Sequence, residues 1–207
     1  MSDVTFSIVD ARAKQNAASP TIAFRLHTTA ATPVDAMVLR VQLRIEPQWR
    51  TYDQEEQTLL GDLFGTPDRW HVTLRTFAWA DVSLVVPEFE DETEADIPVP
   101  CTYDFDQAAT RFFDVVHSGT IPIRFLFSGP IFSSGGSGFS TERIPWSSES
   151  LYRMPVAVWR DAMRACYGDD ALIRINSGTL EKLRRYRALS GATTWDEVLE
   201  RLMGAPT

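Results

Sequence analysis

The segment Leu39-Arg40-Val41-Gln42-Leu43-Arg44-Ile45-Glu46 carries the pattern that decides the fold. Apolar and polar side chains alternate strictly along it, which is typical of a β-strand that buries one face. The segment 21–27 alternates in the same way, and 5–9 is predicted to be an earlier strand. Turn residues at 18–20 and 32–33 separate these segments. The pattern predicts a three-stranded antiparallel meander in which the segments pair in chain order.

Further strands are predicted later in the chain, at 81–86, 97–99 and 121–127. Pro98 and Pro100 place the second of these strands at a sheet edge, because proline cannot donate a ladder hydrogen bond. The Gly- and Ser-rich segment 133–138 is predicted to be a flexible hairpin connection, across which 139–144 pairs back.

Two helices are predicted to interrupt the strands, near 53–64 and near 106–118. Asp53 at the N-cap and Glu56 three residues later form an Asp version of a capping box. Asp106 is predicted to cap the second helix. The apolar side chains at helical spacing are expected to be buried: Leu59, Leu60, Leu63 and Phe64 in the first helix, and Ala109, Phe112, Phe113 and Val116 in the second.

The last quarter of the chain changes to helical patterns, at 155–166, at 177–189 and after the T-x-x-E capping box at 194–197. The sequence therefore predicts an α+β protein. We expect an antiparallel, sandwich-like β-sheet domain over 1–146 with inserted helices, followed by a helical C-terminal region over 147–207.

The composition is that of a folded globular protein with an excess of acidic residues. Lys and Arg number 20 and Asp and Glu 28, so the formal charge is −8. This balance argues against nucleic-acid binding, which needs a basic surface. No apolar run is long enough for a transmembrane helix, and the residues after Met1 lack a secretory signal. We therefore expect a cytoplasmic protein without a transmembrane segment or a nucleic-acid partner.

Most of the acidity lies in the segment 88–96, in which six of nine residues are acidic. Carboxylates this close together repel one another and are costly to bury. The segment is predicted to be an exposed loop or hairpin tip that folding does not require.

Familiar catalytic, cofactor and metal motifs are absent from the sequence. The segment 133–138 lacks the lysine and the following helix of a phosphate-binding loop. The histidines lie far apart in the sequence, at His27, His71 and His117. Cys101 and Cys166 form no close pair, and we expect free buried thiols, with a disulfide across a long loop as the alternative. The sequence therefore predicts no catalytic residue, cofactor or metal ligand.

Arginine and tryptophan residues supply the candidate partner-binding positions. If the meander pairs as predicted, Arg25, Arg40 and Arg44 share one outward face of the sheet. That face is either solvated with local ion pairs, or covered by a partner or by the chain's own helical tail. Trp159 and Trp195 are further candidates, because aromatic residues and arginine are enriched in interface cores.

Several short segments form a distinctive combination: 43–48 (LRIEPQ), 98–105 (PVPCTYDF), 121–122 (IP) with 127–129 (FSG), 155–160 (PVAVWR) and 194–197 (TWDE). Together they resemble a bacterial family of unknown function whose genes tend to lie among those for uptake NiFe hydrogenases. The resemblance implies a role near hydrogenase maturation, assembly or attachment. In addition, 109–122 is similar to a helix and the following segment of SecB-type export chaperones, which supports a binding function.

These observations lead to a prediction of function. We expect a non-catalytic accessory or scaffold protein that binds another protein, with a hydrogenase subunit or maturation factor as the implied partner. Self-association into a homo-oligomer is compatible with the same surfaces. The alternative is an enzyme whose active site is too diffuse to recognise in the sequence.

Overall fold

The computed structural model describes residues 4–101, 107–135, 138–170, 173 and 175–204. The chain divides into two compact units, Met1–Gly168 and Asp169–Thr207. The described strands all lie in the first unit: β1 Val4–Ala13, β2 Thr21–Ala30, β3 Ala36–Ile45, β4 Phe77–Val86, β5 Glu92–Pro100, β6 Thr120–Ser128, β7 Pro130–Gly135, β8 Gly138–Arg143 and β9 Glu149–Pro155. Its described helices are α1 Gln54–Leu59, α2 Gly61–Phe64, α3 Trp70–Thr73, α4 Gln107–Val115 and α5 Val156–Tyr167.

The strands form two antiparallel sheets, which confirms the predicted α+β class. The small sheet has the order β1-β2-β5. In the large sheet, β3 lies between β4 on one side and β6 with β7 on the other, while β9 pairs with β6 and β8 pairs with β7. The strand β5 is an edge strand, as its prolines predict.

The predicted meander is wrong at its third strand. The second neighbour of β2 is β5, whereas β3 belongs to the large sheet. The chain crosses between the sheets at Val34, which exchanges backbone hydrogen bonds of 2.9 and 3.0 Å with Phe89 in the β4–β5 connection. Because β2 and β3 each carry one apolar face, placing them in opposite sheets buries both faces in one shared core.

Aromatic side chains fill the space between the sheets. The ring of Phe24 on β2 lies 5.0 Å from Phe125 and 6.2 Å from Tyr152 of the large sheet, centroid to centroid. Phe6 on β1 stacks on Phe127 at 4.6 Å. The inward residues of β6 are all buried, as their alternation predicts: Ile121, Ile123, Phe125 and Phe127.

Gly129 joins β6 to β7, which both pair with β3. Its φ angle is +138°, a conformation that side chains with a Cβ atom rarely adopt. A Cβ atom at this position would lie 2.0 Å from the carbonyl oxygen of Val38 on β3. The close approach of the two backbones therefore requires glycine.

The inserted helices pack as predicted with one exception. Asp53 accepts a hydrogen bond from the backbone of Glu56, whose side chain bonds back, so the capping box before α1 is confirmed. Leu60 is fully buried, but Leu59 is 54% exposed and does not join the core. In α4, the predicted apolar face is buried, while the predicted cap Asp106 lies outside the described residues.

The region predicted to be helical, 147–207, begins instead with the strand β9, which pairs with β6. The helix α5 follows β9 and packs against β1 of the small sheet. The second unit contains two helices, α6 Ser177–Ser190 and α7 Trp195–Gly204. Thr194 accepts the backbone N–H of Glu197 at 3.2 Å, as a capping box requires. The carboxylate of Glu197 bonds to Thr193 rather than Thr194, so the predicted box closes one residue earlier. None of the helices in the described residues is long and apolar enough to cross a membrane.

Candidate functional site

The outer face of the small sheet carries paired charges. Arg25 on β2 donates hydrogen bonds to Glu94 at 2.7 Å and to Asp96 at 2.8 Å, both on β5. Arg12 on β1 donates to the same Asp96 at 2.5 Å, and His27 lies 3.1 Å from Glu92. We call these side chains the ion-pair ladder: Arg12, Arg25, His27, Glu92, Glu94 and Asp96.

The ion-pair ladder corrects the interpretation of the acidic segment. The second half of the acidic segment 88–96 forms the start of the edge strand β5, at 92–100, and is not a hairpin tip. The carboxylates are exposed as predicted, but alternate ones face basic residues of β2 across the register. The acidity is therefore partly neutralised within the sheet itself.

The outer face of the large sheet carries arginines in a different arrangement. Arg40 on β3 donates to Asp81 at 2.7 Å. Arg124 on β6 donates to Glu46 and Glu149, both at 2.6 Å. Between them, the Nε atom of Arg44 is shielded from water and has no hydrogen-bond acceptor among the described residues. Arg44 lies directly opposite Arg124 in the strand register, so two cations are neighbours here.

Apolar side chains surround this arginine row. Val38 on β3 and Val85 on β4 are register partners, and Val85 is 66% exposed. Leu151 on β9 is also exposed and faces Arg124, while Leu126 faces Gln42. We call this surface the Arg44 face: Val38, Arg40, Gln42, Arg44, Val85, Arg124, Leu126 and Leu151.

The structure separates the five predicted partner-binding residues. Arg25 lies on the small sheet, so the prediction that it shares a face with Arg40 and Arg44 is wrong. Trp159 is only 4% exposed and stacks on Phe113 at 4.3 Å, which makes it a core residue and not a surface contact. Trp195 lies in the second unit, exposed and with the guanidinium of Arg187 5.0 Å from its ring centroid, and stays a predicted contact.

A polar cleft of about 640 Å³ opens between the segment before α1 and the connection from α4 to β6. Its lining includes Arg50, Asp53, Glu56, Ser118 and Arg153. The side chain of Arg50 is only 7% exposed, and its Nη2 atom donates to both carboxylate oxygens of Glu56, at 2.9 and 3.1 Å. Its Nη1 atom is buried without a hydrogen-bond acceptor among the described residues.

His117 meets two carboxylates beside this cleft. Its Nε2 atom lies 3.0 Å from Oδ2 of Asp53, and its Nδ1 atom lies 3.6 Å from Oε1 of Glu56. The possible ligand atoms of these three side chains all lie within 4.8 Å of one another. We call them the Asp53–Glu56–His117 cluster. The backbone N–H of Glu56 is the main cause of a lowered pKa at Asp53, since it hydrogen bonds to the ionised carboxylate.

This cluster leaves no recognisable pattern in the sequence, because His117 lies more than 60 positions after Glu56. The capping box identified Asp53 and Glu56 only as residues that cap the N-terminus of a helix. His117 follows α4, which packs against α2, and its backbone N–H donates to Glu56, so the tertiary fold brings the three side chains together. No local pattern reports such a distant approach.

The cysteines are both free thiols, as predicted, but only Cys101 is buried, whereas Cys166 is half-buried. Cys101 is buried at the end of β5, and burial raises the pKa of its thiol to about 12. It lines an apolar pocket of about 480 Å³ together with Trp79 and Trp159. A thiol with so high a pKa is a poor nucleophile.

These features define a two-sheet α+β protein with a charged sheet face and a polar cleft. The chain belongs to DUF6084, a family of unknown function, whose model matches residues 1–207. No curated protein matches the chain.

Two solved structures are distantly similar. The first is the CARDB domain of a Pyrococcus furiosus protein in complex with di-metal ions, with 9% identity, a TM-score of 0.29, and coverage of 74% of this chain and 87% of that one. The second is a β-glucosidase from Kluyveromyces marxianus, with 7% identity, a TM-score of 0.27, and coverage of 74% of this chain and 15% of that one. Likenesses this distant carry no argument about function.

Proposed function

We propose that this protein is a non-catalytic accessory or scaffold protein that binds another protein through the Arg44 face. The observation that carries the proposal is the Nε atom of Arg44, which is withdrawn from water without an acceptor among the described residues. Leaving a buried donor unbonded costs about 1–3 kcal/mol. A carboxylate supplied by a partner would remove this cost and form a charge-assisted hydrogen bond.

The surroundings of Arg44 suit a protein interface. Val85 and Leu151 are exposed, and they lie on the same sheet face as Arg44. Arginine beside apolar side chains on a rigid surface is typical of interface centres. A sheet face also needs little reordering when a partner docks, which reduces the entropic cost of association.

The chemistry of the face indicates the partner. Arg40 and Arg124 already have carboxylate partners within the chain, so Arg44 is the arginine of this face with a donor that still needs an acceptor. We expect a partner that presents one acidic side chain between apolar ones. The resemblance to a hydrogenase-associated family makes a hydrogenase subunit or maturation factor in the cytoplasm the first partner to test. A second copy of the chain is the alternative.

Affinity capture from the native host, followed by mass spectrometry, tests the proposal. Wild-type protein should enrich a defined partner, and Arg44→Glu should lose it because two carboxylates would then face each other. Arg12→Glu is the matched control, since it reverses an exposed arginine on the outer face of the small sheet. Equal capture by wild type and Arg44→Glu, with both proteins folded by circular dichroism, would refute the assignment of this face.

The polar cleft favours a second candidate function, that of an enzyme. A buried arginine, a histidine and two carboxylates meet there, and such groups support acid–base chemistry. If the cleft is the functional site, His117→Ala should abolish the function of the protein in its host while partner capture through the Arg44 face is unchanged. If His117→Ala leaves the function in the host intact, and only variants of the Arg44 face affect the protein, this candidate is excluded.

A further inference from the structure

We propose that the Asp53–Glu56–His117 cluster binds a divalent transition-metal ion such as Zn²⁺. The three side chains supply one imidazole nitrogen and two carboxylate oxygens from two parts of the fold. Nitrogen and oxygen ligands of this kind suit zinc and neighbouring first-row metals. Three protein ligands beside an open cleft leave a further coordination position for water or for a small molecule.

The distances are close to those of a formed site. In a tetrahedral zinc centre with bonds of about 2 Å, neighbouring ligand atoms lie roughly 3.3 Å apart. Here His117 Nε2 and Asp53 Oδ2 are 3.0 Å apart, and the whole set lies within 4.8 Å. Asp53 and His117 are both exposed, and Asp53 lines the cleft, so small side-chain rotations can bring their atoms into the coordination sphere.

The groups around the ligands already hold them in place. The Oδ1 atom of Asp53 accepts the backbone N–H of Glu56 at 2.9 Å, which leaves Oδ2 directed at His117. Glu56 is fixed by Arg50 and by the backbone N–H of His117 at 3.1 Å. Such outer hydrogen bonds orient ligating carboxylates and are a regular part of metal sites.

Arg50 provides an independent observation that points to a ligand in the cleft. Its side chain is more than nine-tenths buried in the cleft wall, and Nη1 has no acceptor among the described residues. A metal-bound water or small anion is an acceptor of the kind that this nitrogen lacks.

Metal binding can be tested on the full chain after treatment with a chelator. Isothermal titration with Zn²⁺ alone should give one ion per chain, and Co²⁺ should produce the visible absorption bands of a four- or five-coordinate site. His117→Ala and Asp53→Asn should each weaken Zn²⁺ binding by more than about tenfold. Zn²⁺ should raise the melting temperature of the wild type and leave that of His117→Ala unchanged.

His27→Ala is the matched control, because His27 also contacts a carboxylate, Glu92, at 3.1 Å but lies on the outer face of the small sheet, outside the cluster. It should bind Zn²⁺ as tightly as the wild type. If His117→Ala does not fold, His117→Gln keeps a polar side chain of similar reach and tests the same ligand. The proposal is overturned if no variant changes Zn²⁺ affinity, or if the wild type takes up no Zn²⁺ and His117 serves only as a cation between the two carboxylates.

Discussion

The outer faces of the two sheets both carry arginine side chains, but they differ in how completely these arginines are paired with carboxylates. On the small sheet, the basic residues of β1 and β2 meet carboxylates of β5, so the ion-pair ladder is complete within the chain. On the large sheet, Arg44 lies opposite Arg124 and its Nε atom has no acceptor among the described residues. The basic side chains of the first face all have carboxylate partners, whereas one arginine nitrogen of the second face has no acceptor among the described residues.

This difference distinguishes arginines that pair within the fold from an arginine that is more readily explained by function. Exposed ion pairs such as Arg25 with Glu94 contribute little to the stability of the fold. Their charges on the edge strand β5 hinder its pairing with a strand of another chain. A buried donor nitrogen held without an acceptor opposes folding and is expected only where something else requires it. The comparison therefore selects Arg44, and not Arg25, as the residue to change first.

The largest expected effect concerns the backbone that shapes the large sheet. Gly129→Ala should lower the free energy of unfolding by about 3 kcal/mol, because its Cβ atom would collide with the Val38 carbonyl in a strained conformation. Denaturant titration measures the loss. Gly138→Ala is the control, since Gly138 also has a positive φ angle but open space around it. Equal losses in both variants would mean that φ strain alone, and not the close approach, decides the cost.

A smaller loss is expected from the buried carboxylate that supports Arg124. Burial alone would raise the pKa of Glu46, but hydrogen bonds from Thr76, Arg124 and Gln48 outweigh it and lower the pKa below its ordinary value of 4.5. Glu46→Gln should therefore cost about 2 kcal/mol at neutral pH. Glu149→Gln, which changes the exposed partner of the same arginine, should cost much less.

The lowered pKa of Glu46 also fixes the sign of a pH effect. A carboxyl group with a lower pKa in the folded state stabilises the fold above its unfolded pKa, and this contribution disappears as pH falls through the folded value. Unfolding curves recorded from neutral pH downward should thus show the cost of Glu46→Gln shrinking below about pH 4.5. A cost that stays constant into strong acid would contradict this assignment.

For Arg44 the expected change has the opposite sign. Arg44→Met removes the unbonded buried donor and keeps a long apolar side chain on the sheet, so the isolated protein should gain about 1 kcal/mol of stability. Thermal unfolding measures the gain. A clear loss of stability would show that Arg44 is satisfied within the free protein, and the contrast between the two faces would fail.

The smallest effect is expected on the ion-pair ladder. Arg25→Met breaks the contacts with Glu94 and Asp96, which are exposed and screened by solvent. The melting temperature should fall only slightly at low salt, and the difference from the wild type should vanish in about 1 M salt. A large fall that survives high salt would mean that the ladder is a structural element of the small sheet.

Local patterns predicted many elements of this fold, but not all of them. They missed β9, assigned 133–135 of β7 to a flexible connection, and predicted one helix near 53–64 where the structure has α1 and α2. The alternation in 39–46 gives β3, the alternation in 121–127 gives β6, and Asp53 with Glu56 caps α1 as their spacing indicates. Each of these signals comes from residues a few positions apart, whose side chains report directly on one buried face or one helix end. The prolines of β5 likewise identified an edge strand from their chemistry alone.

Pairing between distant segments could not be predicted in the same way. The alternation in 21–27 fits a neighbour on either side, so it does not show that β2 pairs with β5 and not with β3. The separation of Arg25 from Arg44 and the approach of His117 to Asp53 both follow from that missing long-range information. Trp159 was misassigned for a related reason, because helical spacing does not distinguish a core stack from a surface contact.

The crossing of the chain at Val34 also governs the order in which the protein folds during synthesis. The hairpin of β1 and β2 can close as soon as it leaves the ribosome, but its second ladder waits for β5 at 92–100. The central strand β3 can pair first with β4 at 77–86, but its second ladder waits longer, for β6 at 120–128. Such non-local pairing slows folding and leaves apolar strands exposed in the growing chain. Slow refolding in vitro, and a demand for chaperones on the nascent chain, are therefore expected from the topology alone.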